Sequence, residues 1–245
     1  MKKGIAGFGM VGSALAKVID AVIYDPYKDM GSVEELNTAQ VIFVCVPTPG
    51  ECDVSAIEDV LSLLRGEKIV VIKSTVLPGT TDYFQEKYPQ HKILFNPEFL
   101  TEARADEDMI RPDSQIIGYT EKSFSVATDI LAMLPKAPFE RVIPAKEAEM
   151  TKYFRNTWFA TKVIFANQIY DLCQKTGVDY ETVKECASAD RRMTGTSHLE
   201  IWHKGYRGFG GACLPKDLNA LLKFAKDNQT EIKLLEAVKD INETL

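Results

Sequence analysis

Histidine is scarce in this chain of 245 residues. The three present, His91, His198 and His203, show no metal-ligand spacing and read as surface or packing residues, so no metal is expected. Cysteine is scarce too. The five, at positions 45, 52, 173, 186 and 213, are odd in number and include no CxxC pair, which argues against a disulfide scaffold. Reduced thiols in a cytoplasmic setting are the expectation. No apolar run approaches the roughly 18 residues of a membrane span. The start, MKKGIAGFGM, lacks the long apolar core of a secretory signal. Positive charge is also in short supply. With 29 Lys and Arg against 35 Asp and Glu the net charge is -6, and no basic stripe offsets it, so the footprint of a nucleic-acid binder is missing. Low-complexity tracts and internal repeats are absent. What is present is 45% hydrophobic and 26% charged, the composition of a folded chain able to bury a core. The length allows one or two domains.

Short Val- and Ile-rich runs alternate with amphipathic segments over the first 144 residues. The apolar runs lie at 4–6, 21–24, 41–46, 69–72, 93–95, 115–119 and 141–143. Several are continuous rather than alternating, as strands buried on both faces are. Helical patterns fall between them at 13–19, 33–37, 55–64, 81–87 and 123–134. Such β-α-β alternation predicts a parallel sheet with helices on both faces. The texture then changes. Between Lys146 and Lys175 no Gly or Pro interrupts the chain, and Gly177 is a stop signal. A helix of that length would span about 45 Å. A shorter helix is expected at 180–188 with Asp179 as its N-cap, then an irregular segment at 191–213, then helices starting near Pro215 and Thr230. The expected architecture is therefore α/β: a Rossmann-type parallel sheet at 1–144, followed by an all-helical domain at 145–245, with the long helix as the link.

Gly7-Phe8-Gly9-Met10-Val11-Gly12 fits GxGxxG, follows a short strand and opens a helix. In that context glycines permit a tight turn and close approach of a pyrophosphate to the helix N-terminus. Asp25 ends the second strand, 18 residues after Gly7. A carboxylate there accepts from ribose hydroxyls and repels a 2′-phosphate, so NAD is favoured over NADP. The plainer reading is a glycine turn beside an exposed acid. Val46-Pro47-Thr48-Pro49 and Ser74-Thr75-Val76-Leu77-Pro78-Gly79-Thr80 follow two further strands. Ligands of open parallel sheets sit beyond such carboxyl ends, although each loop alone could be an ordinary connection.

Beyond the cofactor, Asn96-Pro97 reads as an N-cap and first helical residue. That reading puts Glu98 and Glu102 four apart on one helical face. They could do acid–base work or merely suit a helix N-terminus, and composition alone favours the latter. Lys152 and Asn156 share a face of the long helix, an arrangement equally compatible with a solvated surface. Cys213 follows a run of glycines and precedes Pro215, Lys216 and Asp217. A helix N-terminus and a nearby lysine both favour a thiolate nucleophile. Cys45, Cys173 and Cys186 suit a packing role better.

Taken together, GFGMVG, VPTP, STVLPGT, NPEFLTE, KYFRN and GFGGACLPKD stand in the order found in UDP-glucose dehydrogenases. The chain resembles that family of nucleotide-sugar dehydrogenases from its first strand to its last helix. The resemblance implies oxidation of a sugar C6 alcohol to a carboxylate in two steps, with NAD as cofactor, a UDP-sugar as substrate and a homodimer as the assembly. It implies that Cys213 is the nucleophile carrying a thiohemiacetal and then a thioester. Lys152 and Asn156 would bind the reacting oxygen. Asp217 would act with Lys152 on a water or proton, and Glu98 would assist thioester hydrolysis. Thr75 and Glu102 would touch cofactor and water. The nucleotide would lie on Gly7, Gly9, Met10, Val11, Gly12, Asp25, Val46, Pro47 and Thr48. The sugar nucleotide would meet Glu98, Phe99, Leu100, Phe209 and Gly210, with Arg192 matching an arginine that reaches a neighbouring subunit's ligand.

Two departures accompany the resemblance. The loop between Pro49 and Ser55 is short, and the chain stops at LLEAVKDINETL, the helix that would lead into a third, nucleotide-gripping domain. Other readings are a dehydrogenase of GDP-mannose or UDP-N-acetylmannosamine, and an NAD-binding subunit or remnant needing a separate nucleotide-binding chain. A one-step β-hydroxyacid dehydrogenase is a more distant alternative, and Cys213 argues against it because a single hydride transfer needs no thiol.

Overall fold

The Val- and Ile-rich runs fold as strands. The computed structural model describes residues 1–193 and 195–245. Thr194, inside the segment read as irregular, lies outside the described residues. The strands are β1 (Lys3–Ala6), β2 (Val22–Tyr24), β3 (Val41–Val44), β4 (Ile69–Ile72), β5 (Lys92–Phe95), β6 (Ser114–Tyr119) and β7 (Phe139–Pro144). They make one sheet in the order β2-β1-β3-β4-β5-β6-β7. Every residue of β3 is buried, which matches its unbroken VIFV sequence. Helices α1 (Met10–Leu15), α2 (Val33–Asn37), α3 (Ser55–Leu63), α4 (Thr80–Lys87), α5 (Ala105–Ile110) and α6 (Phe124–Ala132) fall between the strands. Ile5, Leu15, Phe43, Val71, Leu94, Ile117 and Ile130 form the centre of the sheet domain's core. Removing a ring such as Phe43 from a core of this kind costs about 3–5 kcal/mol.

The sheet departs from the expected all-parallel form at one place. β5 and β6 are antiparallel, with Leu94 opposite Tyr119 and Phe95 opposite Gly118. The connection between them contains only a 3₁₀ turn and the six-residue α5. β6 thus starts beyond the carboxyl end of β5 and runs back along it, so no crossover helix returns the chain to the other end.

Parallel register matters more for the site. Ala6, Val44, Ile72 and Phe95 are paired across β1, β3, β4 and β5. The residues that follow them, Gly7, Cys45, Lys73 and Asn96, therefore leave the sheet in one row.

After β7 the chain enters α7 (Ala145–Thr176), 32 residues without Gly or Pro. Gly177, at φ 71°, terminates it. Then come α8 (Tyr180–Ser188), α9 (Leu214–Asp227) and α10 (Lys233–Asn242). Asp179 caps α8 by accepting from the amides of Glu181 and Thr182. The chain divides into two compact units, Met1–Lys152 and Tyr153–Leu245, so the first two turns of α7 belong to the first. In the second unit Ala160, Ile164, Phe209, Leu218 and Val238 pack together, and a smaller cluster joins Ala166, Cys173, Tyr180, Leu199 and Ile201. Among the described residues no helix is long and apolar enough to cross a membrane.

Candidate active site

The first turn after β1 is built for close approach. Gly7 has φ 91°, and a Cβ there would stand 2.8 Å from the Cys45 carbonyl oxygen. A Cβ on Gly12 would lie 2.0 Å from the Gly7 carbonyl oxygen, so only glycine lets α1 pack on the turn. A Cβ on Gly9 would meet nothing within 4 Å. The backbone at Gly9 is thus open to a ligand beside the first α1 residues, Met10 and Val11. Asp25 is buried rather than exposed. Its Oδ2 accepts from the Phe8 amide at 2.7 Å and its Oδ1 from the Tyr27 amide at 3.0 Å. A carboxylate oxygen has a second lone pair, so Asp25 keeps acceptor capacity for ribose hydroxyls while its charge is held in place. These features fit an NAD-type dinucleotide.

The loops after β3 and β4 are tied to each other. Ser74 Oγ donates to the Val46 carbonyl at 2.6 Å, and Thr48 Oγ1 donates to the Thr75 carbonyl at 2.8 Å. Pro47 sits between two residues so anchored. The β4 loop is also clamped from α7. Buried Glu149 accepts from the Gly79 amide at 2.6 Å, the Thr81 amide at 2.8 Å and Thr81 Oγ1 at 2.6 Å. Burial pushes its carboxyl up to about 7 in spite of these donors.

Residues 96–101 correct the sequence reading. They form no helix, and Glu102 begins a 3₁₀ turn at Glu102–Arg104. Asn96 does not cap; its side chain is spent inside the sheet row. It accepts from Lys73 Nζ at 2.6 Å and donates to the Ile116 carbonyl at 2.8 Å. Glu98 and Glu102 are therefore not partners on a helical face: Glu98 is buried and Glu102 exposed.

Glu98 instead pairs with Lys152. Lys152 Nζ donates to Glu98 Oε1 at 2.9 Å and to the Glu98 carbonyl at 2.7 Å. Both side chains are buried, at 5% and 8% exposure, so the pair is shielded from water. The Lys152 ammonium also lies 5.7 Å from the centroid of the Phe99 ring. Burial pushes the Glu98 carboxyl up. The Lys152 charge and hydrogen bond, the Leu100 amide and the Lys73 charge outweigh this, and Glu98 sits below the ordinary carboxylate value. Leu100 contributes through that amide, 2.8 Å from Glu98 Oε2.

In the second unit Asn156 Nδ2 donates to Asp217 Oδ2 at 2.5 Å, and both residues are buried. Lys216 Nζ lies 2.8 Å from Asp217 Oδ1, at an angle that makes no hydrogen bond. Cys213 is exposed at the N-cap of α9, one turn before Asp217, whose amide donates to the Cys213 carbonyl at 2.9 Å. Phe209 is buried, and its backbone pairs with the Asn242 side chain at 2.7 and 3.0 Å. A Cβ on Gly210 would strike the Tyr206 hydroxyl at 2.6 Å. Arg192 is exposed and folds onto Asp190, with Nη2 2.5 Å from Oδ2.

Two residues of the first unit escaped the sequence reading: Lys73 and Glu149. The signal for Lys73 was a charge closing a fully apolar strand at its carboxyl end. Nothing local marked Glu149 among its polar neighbours.

Residues 5–134 match the NAD binding domain of the UDP-glucose/GDP-mannose dehydrogenase family, and residues 146–244 match that family's central domain. The chain belongs to this family. It is 36% identical over 219 residues to the UDP-glucose 6-dehydrogenase of Rickettsia bellii, covering 84% of this chain and 49% of that protein. It is 37% identical over 233 residues to the Pseudomonas aeruginosa enzyme of the same name, covering 85% and 49%. The chain thus spans about half the length of the curated relatives it matches. A UDP-glucose dehydrogenase structure from Pyrobaculum islandicum is similar over 99% of this chain and 68% of its own, with TM-score 0.83 and 26% identity.

Proposed function

We propose that this chain supplies the NAD-binding and central portions of an NAD-dependent dehydrogenase that oxidises the C6 alcohol of a UDP-sugar, UDP-glucose to UDP-glucuronate, in two steps. The observation that carries the reading is the buried Glu98–Lys152 pair at the carboxyl ends of the NAD-domain strands. A carboxylate and an ammonium buried together at the strand ends of a dinucleotide-binding sheet are suited to proton handling rather than to solubility. Bound NAD supplies the hydride acceptor for both oxidations.

The residues divide the remaining work. Cys213, at a helix N-terminus three residues before Lys216, adds as thiolate to the aldehyde carbon and gives a thiohemiacetal. Lys152 and Asn156 donate to the oxygen that becomes negative. That oxygen is protonated to complete the thiohemiacetal, and Asp217 takes up the proton that the hydroxyl loses when the thiohemiacetal is oxidised to the thioester. Once the thioester has formed, Glu98 accepts a proton from the water that hydrolyses it, and Cys213 leaves as thiolate. Thr75 and Glu102 hold that water and the cofactor, while Phe99, Leu100, Phe209, Gly210 and Arg192 line the sugar nucleotide. Asp25 selects NAD over NADP. The assembly is a homodimer formed through α7. Phe154, Trp158, Phe165 and Leu172 are exposed along that helix at intervals of four and seven residues, an apolar stripe of near-heptad period. The setting is cytoplasmic.

The test is NADH yield with a panel of nucleotide sugars, run on the wild type and Cys213→Ser. The wild type is expected to give the uronic acid, best with UDP-glucose. The serine variant should bind NAD and form almost no acid, because an alcohol is a far weaker nucleophile at neutral pH. Acid formation by Cys213→Ser at a near-wild-type rate would refute the thioester route, and preference for GDP-mannose or UDP-N-acetylmannosamine would reassign the substrate.

A further inference from the structure

Lys73 is a buried lysine that the mechanism above does not use. It leaves β4 in the same row as Gly7, Cys45 and Asn96, and only 4% of its surface is exposed. Its Nζ donates to Asn96 Oδ1 at 2.6 Å. Asn96 in turn is locked to β6 through the Ile116 carbonyl at 2.8 Å and to β4 through its own amide, 2.8 Å from the Ile72 carbonyl. Glu98 follows two residues later in a segment with no helix or strand to hold it. That segment is therefore tied at Glu98 by Lys152 and at its start by Asn96.

We propose that Lys73 is a positioning residue for Glu98: it pins Asn96, which sets the segment carrying Glu98. The charged and titratable groups facing Lys73 are Cys45 just after β3, Glu98 in the segment after β5 and Lys152 on α7. The Cys45 thiol, pushed up to about 12 by burial, stays neutral and does not cancel the lysine's charge. Burial pushes the Lys73 ammonium below the usual lysine value, and Glu98 opposes this. The attraction is reciprocal, since Lys73 also helps hold the Glu98 carboxyl down. A neutral side chain at 73 would remove one of the lysines that hold the Glu98 carboxyl down, in a buried setting that favours protonation. The catalytic consequence rests on the dehydrogenase reading: a protonated Glu98 cannot accept the proton of the hydrolytic water.

The experiment is a carboxyl-carbon NMR titration of Glu98 in the full chain, assigned with Glu98→Gln, on the wild type, Lys73→Met, Lys73→Gln and Lys73→Arg. Both neutral variants are expected to raise the Glu98 midpoint by about one pH unit, and arginine to restore it. The acid limb of uronic-acid formation should move by the same amount. An unchanged Glu98 midpoint in folded neutral variants overturns the proposal. So does unfolding of both neutral variants while Lys73→Arg folds, which makes Lys73 purely structural. If the midpoint moves as expected but the wild type forms no uronic acid, the positioning role stands and the dehydrogenase reading fails.

Discussion

Glu149→Gln isolates the energetics of a carboxyl that the fold buries completely. Its ordinary value of 4.5 rises to about 7, with burial as the main cause and Asp82 a smaller one. The folded state therefore prefers the protonated form more than the unfolded chain does. The resulting stabilisation is full below about pH 4.5 and is lost as pH rises through about 7. A difference of about 2.5 units corresponds to about 3 kcal/mol at about 1.36 kcal/mol per unit. Protonated Glu and Gln both present a carbonyl oxygen to the Thr81 amide and hydroxyl, but the Gln amide nitrogen turns N–H groups toward the Gly79 amide, which needs an acceptor. The variant should thus be less stable than the wild type by about 1–3 kcal/mol near pH 5. Between about pH 5 and pH 8 the wild type should lose most of that 3 kcal/mol relative to the variant. His91 and His198 run the other way, since burial pushes both imidazoles down. They act equally in both proteins and cancel in the comparison. Urea unfolding at the two pH values gives the difference, and hydrogen exchange at the Thr81 amide localises it to the first unit. If the wild type instead gains on the variant as pH rises, the three donors at the α4 N-terminus outweigh burial and the reasoning is refuted.

Further outcomes follow from the same geometry. Gly12→Ala forces a Cβ to within 2.0 Å of the Gly7 carbonyl oxygen, so α1 must shift; about 1–3 kcal/mol of stability and most NAD affinity should go, and calorimetry showing unchanged NAD binding would refute the close-packing argument. Asp25→Asn removes the charge that opposes a 2′-phosphate while keeping one acceptor. The NAD-over-NADP preference should fall by about tenfold or more by calorimetry, and an unaltered ratio would remove Asp25 from the selection. Phe165→Glu places a charge in the exposed stripe of α7 and should yield a monomer by light scattering; a dimer that survives the change does not use this stripe.

The candidate site was legible where chemistry is written in contiguous residues. Gly7, Gly9, Gly12 and Asp25 could be placed because the turn, the close approach and the strand end are each a local matter. Cys213 stood out for the same reason, with its glycines before it and Pro215 after it. Glu98 and Lys152 could be named, but not paired, since 54 residues separate them. The helix expected from Asn96-Pro97 failed because the Asn96 side chain had better partners in Lys73 and Ile116 than in the amides it could have capped.

The amino-acid order alone determined the strands, the long α7 and the dinucleotide turn. Unbroken Val and Ile runs can be satisfied only between two helix layers, and 32 residues free of Gly and Pro have no reason to stop. Only the tertiary structure decided that β6 runs against β5, that Lys73 is buried in the strand-end row, and that Glu149 clamps the loop after β4. Each of these depends on which distant group satisfies a buried donor or charge. Periodicity records that a residue is inside, whereas the identity of its partner is fixed only when strands in register and helices in contact bring the two together.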